Sequence, residues 1–429
     1  MAPSILHTAV SETTFRNELN NGNLQGDLMT LLLRDGRPWT AGAWATTLLG
    51  VAMLAGCGGT QSDTSDSTQP GVTAQAQAAG GTVSGMSDTW VLLNDIKYNK
   101  TSAQVLDDDG LPVSASALQL GMQIDVQAAQ VDTVRAVASA TNIAFGASVE
   151  GLVDSVDAAA GQLVVLGQTF QVSDGTVFAN GLANGLADVA AGNFAKVQGV
   201  LDAKTGLTAA SRVEVKKSVR QLRLRGVTSE LDAAAKTVKI GGQVVNFASA
   251  KVGISLADGQ VVRSLLETEK VNGQLVAKQI GADRRFVADG EAVDVSASVD
   301  EVTSATSFKV LGLAVDASNA TLTNGAALKV GARAEVKGAL SGGKLVATSV
   351  NVKQSGKANA AELQGALAAL NAAKRTFTLK DVAVSFSDKT TFVGGTAADL
   401  ANGVNVNAKG KLASSGTQLK AETIEIVAN

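Results

Sequence analysis

Residues 331–338 read GARAEVKG, running from Gly331 to Gly338. The same frame, a glycine, six residues and a second glycine, recurs as GNFAKVQG from Gly192 to Gly199 and as GVNVNAKG from Gly403 to Gly410. Weaker copies start at Gly121 (GMQIDVQA) and Gly259 (GQVVRSLL), so successive leading glycines fall about 70 residues apart. Apolar and polar residues alternate inside the frame, the period-two pattern of a strand with one buried face. Self-similarity at a fixed spacing means that one structural unit is repeated along the chain.

Upstream of each frame lies a hairpin: LVVLGQTFQV around Gly167, VKIGGQVVNF around Gly241 and Gly242, FKVLGLAVDA around Gly312 and FTLKDVAVSF around Asp381. Apolar residues alternate on both sides of a Gly or Asp turn, as in paired strands. Between hairpin and frame, LADVAAG (ending at Gly192), LADG (ending at Gly259) and AADLANG (ending at Gly403) can each form one helical turn that glycine terminates. Downstream, Ala203–Gly206, Asn272-Gly273, Ser341–Lys344 and Ser414–Gly416 are turns of a second hairpin, and Ala277, Ala347 and Ala421 recur on its return strand. A leading strand carries Gly85, Gly151, Gly226 and Gly365 in equivalent places, with Ala297 in the fourth unit. The order strand, strand, strand, helical turn, strand, strand predicts an all-β chain of about five tandem small Greek-key (OB-like) β-barrel modules. Another small barrel or a sandwich would share the pattern. The modules are placed at 81–147, 148–218, 219–290, 291–356 and 357–429. Composition agrees: 45 Gly, 4 Pro and 3% aromatic residues favour many thin cores over one large core.

The N-terminal region has a different character. Residues 39–56, WTAGAWATTLLGVAMLAG, are uncharged and apolar, follow Arg34 and Arg37, and fall short of the roughly 20 residues a spanning helix needs. They end in Leu54-Ala55-Gly56-Cys57, which resembles the lipobox of bacterial lipoproteins. That resemblance implies a signal peptide cut before Cys57, acylation of Cys57 as the membrane anchor, and, with Gly58 next, placement in the outer membrane facing the periplasm or the surface. Residues 1–28 form a long polar lead, and Met29 offers a more conventional start. Residues 58–80 are polar, small and aperiodic, and are expected to form a flexible linker.

From residue 81 onward the glycine frame resembles the uncharacterised bacterial repeats known as domain of unknown function 5666, often found behind a lipoprotein signal. The resemblance implies a fold and no known activity.

Composition limits the chemistry further. With 36 basic and 39 acidic residues the net charge is -3, so no strong field recruits polyanions and nucleic acid is not an expected partner. The sole His is His7 and the sole Cys is Cys57, which leaves the part after the signal without zinc ligands or a Ser-His or Cys-His pair. No metal, cofactor or catalytic residue is expected. Asp107-Asp108-Asp109-Gly110 lacks calcium-loop spacing and is expected to be a solvated hairpin turn. Ser341–Lys344 fits S-x-x-K and Lys204–Gly206 fits K-T-G, but both fall at turns, in reversed chain order.

Two groups of residues remain as possible binding surfaces. Lys216, Lys217, Arg220, Arg223 and Arg225 form the densest basic run, able to meet a phosphate or an acidic glycan, with Arg223 and Arg225 on one strand face. Trp90 and Tyr98 are the plausible exposed stacking pair, whereas Phe170, Phe247 and Phe386 recur at one hairpin position and are expected in cores. The expected role is a non-enzymatic envelope scaffold or binding protein, held to the membrane by lipid, with an envelope protein or glycan as partner. The alternative is a hydrolase or transferase of envelope polymers that works through paired carboxylates.

Overall fold

The computed structural model describes residues 76–427, apart from 130, 133, 147, 180, 219–220, 284–291 and 354–358. Cys57, the apolar stretch before it, linker residues 58–75 and Arg220 lie outside the described residues. The described chain is all-β, with short 3-10 turns and no α-helix.

Residues 360–426 show how the sequence pattern closes. Strand Ala360–Ala366, continued by Ala368–Asn371, pairs antiparallel with Thr376–Leu379, which pairs with Val382–Ser385. The third strand runs parallel to the last, Gln418–Ile426; the last pairs antiparallel with Asn405–Leu412, and that strand returns to the first. The ring first-second-third-fifth-fourth-first is a closed five-stranded Greek-key barrel. The same pairings build four more, so the chain contains barrels I (76–145), II (149–216), III (222–282), IV (292–353) and V (360–426). Each has its own apolar core. Tyr98, Phe170, Phe308 and Phe377 fill barrels I, II, IV and V, and Ile240 does so in barrel III. Phe247 and Phe386 pack partly buried against the cores of III and V.

The glycine frame has two separate physical causes. Its first glycine has φ between 79° and 91° in all five barrels, a left-handed turn into the fourth strand that costs other residues energy. Its second position sits at a β-bulge. A Cβ on Gly199, Gly338 or Gly410 would overlap a carbonyl oxygen of the last strand, that of Ala209, Val346 or Lys420. Ala128 and Leu266 occupy the same bulge in barrels I and III, so glycine there is favoured without being required. Opposite every bulge stands a buried alanine: Ala140, Ala210, Ala277, Ala347 or Ala421.

The hairpins are two-residue turns with positive φ at both central residues, at Asn94-Asp95, Leu166-Gly167, Gly241-Gly242, Leu311-Gly312 and Lys380-Asp381. That backbone matches the twist of its flanking strands.

Three features differ from the sequence reading. The strand Ala76–Met86 begins inside the stretch expected to be linker, because residues 76–80 pair with a distant strand that local composition does not reveal. Each barrel adds a short strand parallel to its last one, for example Val177–Phe178 and Thr391–Val393. The helical turn expected before Gly259 is missing. There the side chain of Gln260 takes the turn's hydrogen bonds, accepting from Ala257 N (3.1 Å) and donating to Ser255 O (2.9 Å).

The barrels are joined by their first strands. Barrels I, IV and V share one 20-stranded sheet, and II and III share a 12-stranded one. Residues 76–80 run parallel to 293–297 of barrel IV, while Gly85 and Met86 run parallel to Glu362 and Leu363 of barrel V. Met86, Leu120 of barrel I and Val177 of barrel II also pack into the core of barrel V.

Candidate functional site

The strand Leu222–Asp232 of barrel III alternates apolar and basic residues. Leu222 and Leu224 enter the core, which turns Arg223 and Arg225 together to the outer face. That face is mostly covered. It meets the turn Asp107–Gly110, which the structure places at the joint of barrels I, II and III.

Local chemistry builds this turn. Asp107 Oδ1 accepts from the backbone N–H of Asp109 and of Leu111, both at 2.9 Å, its carbonyl accepts from Gly110 N (3.0 Å), and Gly110 supplies φ 82°. With Asp107 spent on the turn, Asp108 and Asp109 reach outward. Asp108 pairs with Lys196 Nζ and accepts from Ser148 Oγ at 3.1 Å, both belonging to the barrel II side. Asp109 takes Arg223 Nη2 at 2.8 and 2.9 Å on its two oxygens, and Gln221 Nε2 at 3.3 Å. Arg223 Nε lies 3.4 Å from Glu150 of barrel II. One acidic turn thus holds two other barrels. The expectation of a solvated hairpin turn is half corrected: the hairpin is there, between Gln104–Leu106 and Pro112–Val113, but Asp108 is nearly buried.

The rest of the basic run is placed as follows. Arg225 is buried in a two-bonded pair with Asp283, at 2.8 and 2.7 Å, and its Nη1 donates to Gly199 O of barrel II at 3.3 Å. Lys216 pairs with Glu214 at 2.7 Å, Arg212 Nε reaches the same carboxylate at 2.6 Å, and Arg212 donates to Leu120 O of barrel I at 2.9 Å. Burial alone pushes the Glu214 carboxyl up; the two cations more than reverse this and hold it down at about 2. Lys217 is exposed. Hence Arg223 and Arg225 join barrels, and the open basic face that the sequence suggested is not formed by them.

The aromatic pair divides. Tyr98 is 1% exposed in the core of barrel I, and burial pushes its phenol up; it offers no face for stacking, which corrects the expectation. Trp90 is half-buried at the joint with barrel V, where Nε1 donates to Gln364 Oε1 at 3.1 Å and Lys97 Nζ lies 4.3 Å from the ring centre. Lys97 continues to Glu362 of barrel V at 2.8 Å. Barrel IV is held similarly, by Arg333 to Asp95 at 2.9 Å and by Gln77 to Asp294 at 3.2 Å.

Sequence reasoning missed the partners Glu150, Lys196 and Asp283. A signal existed for Lys196. The fourth residue after the leading glycine of each frame, Asp125, Lys196, Arg263, Glu335 or Asn407, is polar in all five copies. Three of these meet a side chain of another barrel or of a neighbouring strand: Lys196 meets Asp108, Glu335 meets Lys353 at 3.3 Å, and Asn407 meets Glu362 at 3.0 Å.

Ser341 and Lys344 face each other across the Gly342-Gly343 turn of barrel IV, and Lys204–Gly206 forms a turn of barrel II whose amides bond Asp202. Turn geometry accounts for both. Among the described residues no group of three or more His, Cys, Asp or Glu is arranged to hold a metal ion, and no helix is long and apolar enough to cross a membrane.

Residues 150–214, 296–351 and 364–425, lying in barrels II, IV and V, match a family model described as Domain of unknown function (DUF5666). No curated protein matches the chain.

Proposed function

We propose, for a chain that carries tandem DUF5666 domains, the role of a lipid-anchored cell-envelope protein that acts as a non-enzymatic scaffold or binding protein. Cys57 is its point of attachment, and Gly58 favours the outer membrane. One observation carries the scaffold reading: charged side chains that a catalytic or ligand-binding surface would use bond across the joints, Asp108 to Lys196, Asp109 to Arg223, Arg225 to Gly199 O and Arg212 to Leu120 O. A chain that commits its ionic groups to internal joints gains a defined multi-barrel surface, on which an envelope protein or glycan is the expected partner.

Anchoring and binding are tested separately. Labelled palmitate is expected to enter the wild type and not Cys57→Ala; equal labelling of the two would end the lipoprotein reading. Pull-down of the acylated protein from solubilised envelopes is expected to recover a reproducible partner or glycan, and its repeated absence would count against binding.

A further inference from the structure

Within the chain, one barrel end is closed by a turn from another barrel. The turn Ala413–Gln418 of barrel V seats on the short strand Val177–Phe178 of barrel II, where Phe178 N donates to Gly416 O at 3.1 Å and Thr417 Oγ1 donates to Ala183 O at 3.4 Å. The approach is backbone against backbone. A Cβ on Gly416 would stand 2.0 Å from Thr176 O, and one on Gly185 would stand 2.6 Å from Ser415 O, so neither position tolerates a side chain. Phe178 is buried beneath the turn.

Barrel V has the same end, and it is open. The Thr390 hydroxyl repeats that of Thr176, accepting from a serine N–H (Ser387 or Ser173) and donating to a last-strand carbonyl (Ala421 or Ala210), which aligns Phe392 with Phe178. From Thr390 to Leu400, the close of the 3-10 turn, the chain is shorter than its counterpart Thr176 to Val189, and Gly394-Gly395 bring no side chain to cover the strand. Val393 is 47% exposed. Among the described residues no backbone hydrogen bond from another barrel reaches Phe392 or Val393.

Register decides what can seat there. Gly416 stands five residues before the bulge alanine Ala421; at that place barrels I, II and III carry Arg135, Thr205 and Asn272, whereas barrel IV carries Gly342, preceded by Ser341 as Gly416 is by Ser415. Gly342 and Gly416 share the left-handed backbone, at φ 58° and 66°. The turn Ser341–Lys344 is exposed, and a Cβ built on Gly342 or Gly343 meets nothing within 4 Å, so no neighbour crowds it within its own molecule. Val346, 45% exposed on the strand leaving the turn, offers an apolar side chain beside it.

We propose that the turn Ser341–Lys344 of one copy seats on the strand Thr391–Val393 of a second copy, repeating between molecules the contact of barrels V and II. Turn and strand are different surfaces, so the contact is heterologous and propagates head to tail. This rests on the scaffold reading proposed above and names a second copy of the chain as its partner. One such contact is small, and confinement of many copies to a membrane would strengthen it by raising their effective concentration.

The test is sedimentation velocity of the purified full chain in detergent under reducing conditions, over a concentration series. The wild type is expected to associate beyond the dimer as concentration rises. Gly342→Asn keeps a turn-forming residue and adds a side chain where docking leaves no room, and Val393→Asp places a charge on the open end. Each is expected to weaken association about tenfold or more with an unchanged thermal melt; Val346→Asp replaces Gly342→Asn should that variant fail to fold. An equimolar mixture of the turn variant and the strand variant is expected to recover dimers and nothing longer, because one intact turn meets one intact end. A wild type monomeric throughout the series, association as tight in Gly342→Asn, or a mixture no better than its components would each overturn the proposal. Palmitate labelling of Cys57 and a recovered envelope partner do not depend on this contact, so its failure and failure of the anchored-scaffold reading remain distinguishable.

Discussion

Barrel I meets barrel IV along five consecutive pairs, 76–80 with 293–297, running parallel, whereas barrel II meets barrel III at a single antiparallel pair, Glu150 with Arg223. The first joint is a backbone ladder. It is formed mainly by small residues, Ala76, Ala78, Ala79 and Gly80 with Gln77 among them, and it satisfies main-chain donors and acceptors that burial would otherwise leave unpaired. The second joint is made by side chains. Gln168 packs over Gly241 and Gln243 over Gly167, a reciprocal clasp of two equivalent turns, and around it lie Asp109–Arg223–Glu150 and Arg225–Asp283. Even so, it leaves Gln168 Nε2 buried without a partner. The two joints therefore differ in kind: one rests on a main-chain ladder, with Arg333–Asp95 and Gln77–Asp294 added beside it, and the other on particular side chains.

The largest expected effect breaks the charged joint. Arg225→Ala leaves Asp283, 6% exposed, without its two-bonded partner, and the expected loss is about 3–5 kcal/mol by denaturant unfolding. The double variant Arg225→Met/Asp283→Leu removes both charges together and is expected to recover most of that loss. A double variant as unstable as the single one would show that the cost lies in packing and not in the stranded charge.

Next is the ladder. Ala79 pairs with Val126 on one side and Ser296 on the other. Ala79→Pro removes a donor from a strand paired on both edges, and about 3 kcal/mol or more is the expected loss. Hydrogen exchange should rise in both 76–86 and 292–298, because the two segments share one ladder. Exchange confined to barrel I would mean that barrel IV does not depend on it.

Acid separates a charge-dependent strand of barrel II from the ladder. Glu214 is held down at about 2 by Arg212 and Lys216 against burial, so its ionised form contributes stability that is present above the ordinary carboxylate range and is lost as pH falls from about 4.5 toward 2. At about 1.4 kcal/mol per unit, the loss is at most about 3 kcal/mol. Asp294, at the ladder joint, is shifted the other way: burial raises it, with Lys337 at 3.4 Å offsetting part. Its protonation on acidification relieves a cost. Exchange measured from pH 6 down to pH 2.5, corrected for intrinsic rates, should therefore loosen strand Thr208–Lys216 before strand Ala292–Ser304. The reverse order would mean that the Glu214 pair does not govern the acid response of this strand.

The contrast also explains what could be read from the sequence. The barrel was legible because its determinants are local: Gly331 and its equivalents turn the chain, Gly338 and its equivalents make room for a carbonyl, and alternation assigns the faces. The OB-like ring followed from strand order alone. The joints were not legible, because each partner is far away in sequence: Asp109 and Arg223 are 114 residues apart, and Gln77 and Asp294 are 217 apart. A basic run looks the same in one sequence whether it faces a ligand or a carboxylate from another barrel. Tyr98 was misread for a related reason: it lies in the short third strand of barrel I, where a run of four residues gives too little periodicity to show that it shares the buried face with Ile96.

The smallest expected effect sharpens the comparison most. The Asp109–Arg223 contact is partly exposed, so Asp109→Asn should cost only about 1 kcal/mol of local stability, roughly a fivefold rise in exchange at the joint. Salt should reproduce this change, because the screening length falls from about 10 Å at 0.1 M to about 3 Å at 1 M. Wild type at 1 M salt is thus expected to exchange faster along Leu222–Asp232, with Ala76–Met86 unchanged, and Asp109→Asn should lose most of that salt response. Equal salt sensitivity in the two strands would mean that the charges around barrel III decorate a joint held by the Gln168 and Gln243 clasp; a response confined to Leu222–Asp232 assigns its tightness to the acidic turn of barrel I.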